Sequence, residues 1–185
     1  IRLCLVGSEM CIRDSKYSDQ VKSLSFIAPA GFGKVQTSIP FFMKIPGVIE
    51  WAMHVLADRF YGSAISSETT HSSDPLSINE EEFQQLFSFQ MQFKGFRESL
   101  ASTMRNFNLF DAREMFEKVA AKNIPSIAIW GDNDGIVSYK GGKTYSEIFQ
   151  EGKVITIEGG THDITYRQPS DVLKAIKIFL NSQIS

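Results

Sequence analysis

The sequence predicts an α/β fold built on a parallel sheet, and three observations carry the prediction. Two apolar runs, SIAIW at 126–130 and KVITIEGG at 153–160, each end in glycine-rich turn residues, as buried strands do. Apolar positions at helical spacing lie before and after those runs and a helix-compatible stretch lies between them, so the strands are joined by crossovers rather than hairpins. A long segment dense in Phe, Met and Leu, without strand alternation, separates them from an earlier strand-like run. Helices alternating with continuous apolar strands imply a parallel sheet covered on both faces.

In chain order, the first fifteen residues stand apart. Leu5 to Ser15, LVGSEMCIRDS, resemble the translation of a transposase sequencing adapter, and Cys4 fits the preceding triplet. Residues 1–15 are therefore expected to be an artefact and are excluded from the fold. Cys4 and Cys11, the only cysteines, lie inside this segment, leaving no disulfide or thiolate chemistry from Lys16 onward. Val21 to Ala28 form a β-rich run closed by Pro29, Ala30 and Gly31, expected to be a central strand.

The sheet domain is expected at 16–31 and 111–185, with a helical insertion at 32–110. Within the insertion, Ser77 to Glu80 carry a capping-box signature before Phe83, Leu86 and Phe87. The Ser- and Thr-rich stretch from Ser63 to Ser77 reads as a flexible surface loop. Phe41, Phe42, Met43, Ile45, Val48, Trp51 and Met53 read mainly as packing of this insertion. Next, Asp111 with Glu114 should cap a helix whose apolar residues are Ala112, Met115, Phe116, Val119 and Ala120. Pro125 precedes SIAIW, GDNDG ends it, and a helix-compatible stretch leads to KVITIEGG. The last helix starts near Pro169, with Val172, Ala175, Ile176, Phe179 and Leu180 on one face.

The 19 basic and 21 acidic residues nearly balance and are interspersed. With no Lys/Arg run or basic stripe to neutralise phosphates, nucleic acid is not an expected partner. The most apolar stretch, Ile39 to Leu56, is interrupted by Lys44, Pro46 and Glu50, so no transmembrane segment is read. No grouping of His, Cys and carboxylates has ligand spacing, so no metal or other cofactor is expected.

In open parallel sheets, ligands bind beyond the carboxyl ends of the strands. Residues following SIAIW and KVITIEGG therefore share one rim, which places Asp132, Asp134 and His162 together. The stretches IWGDNDGIV and VITIEGGTHDITYRQPSDVLKAIKIFL resemble the closing third of the α/β-hydrolase fold, and the likeness extends from Val21 to the C-terminus. The resemblance implies that the chain is the C-terminal part of an α/β-hydrolase sheet with a helical cap at 32–110.

Matched to the family pattern of Gly, two residues, Asp, two residues, Val, Asp134 sits between Gly131 and Val137 and is the acid of a catalytic triad. His162, after Gly159 and Gly160, is its base. A placed imidazole activates a serine hydroxyl by about 10²–10⁴-fold, and a neighbouring carboxylate fixes its tautomer and stabilises its charge. Family order puts the nucleophile on an upstream G-x-S-x-G elbow, and no such motif occurs in these 185 residues. Alone, the chain is expected to be inactive and to leave its central strand without a neighbour.

Asp132 is the rival acid, as a turn aspartate that caps its own backbone. Asp163 is expected to point away from the imidazole. His54 and His71 have no acid or nucleophile around them and read as packing and surface residues. Phe32 and Val137 are expected to line a substrate pocket. A small hydrophobic ester, lipid esters included, is the expected substrate, and the greasy insertion would also suit contact with a membrane surface. Same-fold alternatives are an epoxide hydrolase or dehalogenase with an aspartate nucleophile and a carbon–carbon bond hydrolase. A non-catalytic binding protein on this fold is the alternative from another class.

Overall fold

The computed structural model describes residues 17–32, 45, 47–55, 73–106 and 112–183. The adapter-like residues 1–15, Asp111, His71, Phe41, Phe42 and Met43 lie outside them. The chain divides into two compact units. One comprises Ile1–Val35, Ser72–Ser77 and Leu109–Ser185; the other comprises Gln36–His71 and Ile78–Asn108.

Among its described residues the first unit holds three parallel strands, β1 (Leu24–Ile27), β2 (Ser126–Gly131) and β3 (Lys153–Ile157), ordered β1-β2-β3. Phe26 is in register with Ala128, and Ile129 with both Ile27 and Ile155. Among the described residues β2 is the middle strand, every residue of it buried, and β1, the strand expected to be left short of a neighbour, is paired on the β2 side.

Side chains alternate across a strand, and β2 divides the core accordingly. Ile127 and Ile129 project into an aliphatic layer with Ile157, Ile164 and the buried face of the last helix. Trp130 belongs to an aromatic layer with Phe26, Phe32, Phe116, Tyr145 and Phe149. Ser126, on the same side as Trp130, makes a 2.7 Å hydrogen bond with the Tyr145 hydroxyl.

Four helices of the first unit bear on this sheet. In chain order along the molecule, the second unit contributes α1 (Val48–Val55), α2 (Glu80–Gln90) and α3 (Phe96–Asn106), and the first unit then adds α4 (Arg113–Ala120), α5 (Gly141–Ile148), α6 (Ile164–Arg167) and α7 (Pro169–Ser182). Phe116 of α4 and Tyr145 of α5 enter the aromatic layer, while Val172, Ala175, Ile176 and Phe179 of α7 enter the aliphatic one. Leu180, expected on that face, is exposed, because one helical face narrower than the predicted stripe meets the sheet.

Several local expectations are corrected. The α2 capping box is formed by Asn79 and Glu82 rather than Ser77 and Glu80: Glu82 N donates to Asn79 Oδ1 at 2.8 Å and Asn79 N to Glu82 Oε2 at 3.0 Å. Two residues matter here, because the helix begins at Glu80, leaving Asn79 at the position where a side chain reaches the third helical N–H. Glu114, whose expected capping partner Asp111 lies outside the described residues, pairs with Lys118 at 2.7 Å, one turn on, which holds its carboxyl below the usual range.

Residues 73–77, expected to be loose, form an anchored turn. Asp74 accepts hydrogen bonds from Leu76 N, Ser170 N and Ser170 Oγ at 2.8–2.9 Å. The reason is electrostatic: Ser170 lies in the first turn of α7, where unpaired N–H groups favour a carboxylate.

In the second unit, Ile49 of α1 and Ala101 of α3 are buried, while Trp51, Val55, Leu86, Phe89 and Phe93 are all more than half exposed. No helix among the described residues is long and apolar enough to cross a membrane.

Candidate active site

The carboxyl ends of β2 and β3 are brought together by two glycines. A Cβ on Gly131 would lie 2.1 Å from the Gly160 carbonyl oxygen, and one on Gly160 would lie 2.8 Å from Gly131 Cα. Neither position has room for any side chain, which is what lets the backbones touch. Hydrogen bonds from Asp132 N to Ile157 O, 3.2 Å, and from Asn133 N to Gly160 O, 2.9 Å, hold the two turns in that contact.

From this junction the chain delivers Asp134 and His162. Asp134 Oδ1 accepts the backbone N–H groups of Ile136 at 2.9 Å and Val137 at 2.7 Å, closing a tight turn on its own side chain. Its Oδ2 lies 2.9 Å from His162 Nδ1. The carboxylate is fully buried, whereas the imidazole keeps a quarter of its surface, 26%, open. The carboxylate thus engages the Nδ1 side of the ring and fixes its orientation.

The other rim residues behave differently. Asp132 is exposed and contributes its backbone to the junction. The Asp163 oxygens are taken by the Thr161 hydroxyl and by Arg167 Nε. His54 lies in α1, at a position whose side chain is outside the described atoms.

Phe32, expected beside a pocket, is in the aromatic layer instead: it is 2% exposed and stacked on Phe116 with ring centres 3.9 Å apart. A ring leaving β1 at this point is captured by the aromatic side chains of α4 and α5. Val137 is half-buried, and its N–H is one of the two that hold Asp134.

Sequence reasoning did not find the Gly131–Gly160 contact or the Thr161–Asp163–Arg167 cluster. The glycines read only as strand stops, although Asp163 and Arg167 do stand at the i, i+4 spacing of a helical ion pair. Among the described residues no three His, Cys, Asp or Glu side chains converge as a metal site requires.

Structural comparison gives this architecture a setting. A bromoperoxidase from Bacillus anthracis superposes with a TM-score of 0.66 and 20% identity, over 95% of this chain and 64% of that one. The chain has the α/β-hydrolase fold. An esterase from Rhodococcus matches with a TM-score of 0.61 and 14% identity, over 96% of this chain and 62% of its own. A thermophilic esterase from Thermogutta terrifontis matches at 0.61 and 15%, over 97% and 62%. The chain thus spans less than two thirds of the length of each of these α/β-hydrolase-fold structures. No protein-family model and no curated protein matches the sequence.

Proposed function

We propose that this chain is the acid-and-base portion of a serine hydrolase that cleaves hydrophobic carboxylic esters, lipid esters among them. The observation that carries this reading is the buried Asp134 carboxylate, held on one oxygen by two backbone N–H groups and presenting the other to His162 Nδ1 at 2.9 Å. In this reading a serine hydroxyl from the upstream part of the parent protein gives its proton to His162 Nε2 as its oxygen attacks the ester carbonyl. The proton then passes to the departing alcohol, leaving an acyl-enzyme that water hydrolyses by the same route. Asp134 keeps the imidazole in one tautomer and stabilises the imidazolium without taking its proton. The phenylalanine- and methionine-rich insertion supports a hydrophobic acyl group.

The test is hydrolysis of nitrophenyl esters by the parent protein carrying Asp134→Asn or His162→Ala. A fall in kcat on the order of 10⁴-fold is expected for the Asn variant, since it favours the wrong tautomer. Unchanged turnover in both variants overturns the assignment. Turnover of epoxides or haloalkanes in place of esters would move the protein to the aspartate-nucleophile chemistry of the same fold.

A further inference from the structure

Beside the Asp134–His162 pair lies a second set of polar contacts that the pair itself does not use. Thr161 is buried and donates its hydroxyl to Asp163 Oδ1, while Arg167 Nε donates to Asp163 Oδ2 at 2.9 Å. The Arg167 side chain is only 10% exposed and that of Asp163 22%. The backbone closes the same turn: Tyr166 N and Arg167 N donate to Asp163 O at 2.8 and 3.0 Å. His162 is therefore the residue enclosed by the cluster, with one member before it in the chain and two after it.

Burying a guanidinium is an expensive way to gain stability. Desolvation offsets most of the Coulomb attraction in such a pair, and an apolar residue of similar volume often serves as well. What an ion pair adds is direction: a guanidinium fixes the orientation of the carboxylate it faces, and here that carboxylate is also tied to Thr161.

We propose that Thr161, Asp163 and Arg167 are positioning residues that lock the 161–167 turn so that His162 Nδ1 stays on Asp134 Oδ2. This rests on His162 being the base of the proposed reaction. A ring on a four-residue helix entry, with Gly159 and Gly160 immediately upstream, has little regular structure of its own to hold it. The cluster supplies that restraint, in the manner of the outer partners that orient ligating histidines.

The experiment is nitrogen-15 NMR on the parent protein, following solvent exchange of the His162 Nδ1 proton alongside the backbone amides of β2 and β3. By analogy with outer-partner losses of about 10–100-fold, Asp163→Asn should speed exchange of the Nδ1 proton at least about tenfold while the strand amides keep their protection. Asp134→Asn should abolish the protected Nδ1 signal. Equal acceleration of the ring proton and the strand amides would reduce the cluster to a stability role, and no acceleration in a folded Asp163→Asn chain would remove it; either overturns the proposal. If Asp163→Asn does not fold, Thr161→Val decides, because it deletes the hydroxyl contact and leaves the ion pair. Faster ring exchange with protected strand amides supports the proposal, and unchanged ring exchange overturns it. A wild-type chain with no protected Nδ1 proton would overturn the Asp134–His162 pairing as well, which separates failure of the site from failure of its support.

Discussion

Among the described residues, the sheet unit and the helical unit dispose of their large apolar side chains in opposite ways. Around β2 every large ring has a defined neighbour: Phe32 stacks on Phe116, Tyr145 on Phe149, and Trp130 meets Phe32 and Tyr145 edge-on. In the helical unit Phe89 and Phe93 contact one another at 5.1 Å while both stay more than half exposed, as does Trp51. The contrast follows from geometry. A strand paired along both edges and covered by helices on both faces sends alternate side chains into two closed layers, whereas short amphipathic helices enclose little volume until something covers them. Greasy composition is shared by both units, and among the described residues it is the rings around β2 that enclose one another.

The harshest way to probe the comparison is through glycine. Gly131→Ala would drive a methyl into the Gly160 carbonyl, and a loss of about 3 kcal/mol or more in denaturant unfolding is expected, together with separation of Asp134 from His162. Gly95 in the helical unit has open space around its Cβ direction and a φ of +87°. Alanine there should cost only the backbone strain, about 1 kcal/mol. Comparable losses at the two sites would erase the distinction drawn here.

Tryptophan sharpens it next. Trp130→Ala should cost about 3–5 kcal/mol, against less than about 1 kcal/mol for Trp51→Ala, both read from chemical denaturation.

A smaller effect comes from pH. Burial pushes the Tyr145 hydroxyl up to about 12, against a partial downward pull from its hydrogen bond to Ser126. The folded chain holds this proton where the unfolded chain has released it. Its contribution is thus whole below about pH 10 and is lost as pH rises toward 12, amounting to about 2 kcal/mol or less. Stability curves of the wild type and Tyr145→Phe should converge across that window, and parallel curves would contradict the assignment.

The mildest test lies at the anchored turn. Burial alone would raise the Asp74 carboxyl, but hydrogen bonds from Leu76 and Ser170 outweigh it and hold the group below its usual value. Its stabilisation is therefore present above about pH 4 and disappears as pH falls through the lowered value. Asp74→Ala should lower the melting midpoint by a few degrees at neutral pH, with a shrinking difference in acid.

What was legible in the sequence is what periodicity and punctuation encode. β2 and β3 announce themselves as apolar runs stopped by glycine, and α7 by its spacing after Pro169. The rim that gathers Asp134 and His162 follows from strand direction once those strands are placed. Contacts between distant residues leave no such trace. Asp74 meets Ser170 across 96 positions, and no local pattern reports that a stray loop aspartate sits over a helix start. Phe32 misled for a related reason, since a residue just past a strand reads as a rim position, and only the rings of α4 and α5 show it to be core. Asn79 and Ser77 differ as caps by a two-residue shift in where a helix begins, finer than composition resolves.

The turn that Asp134 closes on itself ties chemistry to loop architecture. Because Oδ1 is committed to the Ile136 and Val137 amides, the side chain must be short enough to fold back on its own backbone while Oδ2 still reaches the ring. Any change that frees Oδ1 therefore loosens the Ile136 and Val137 amides and the imidazole together, so the stiffness of this loop and the orientation of the ring stand or fall as one.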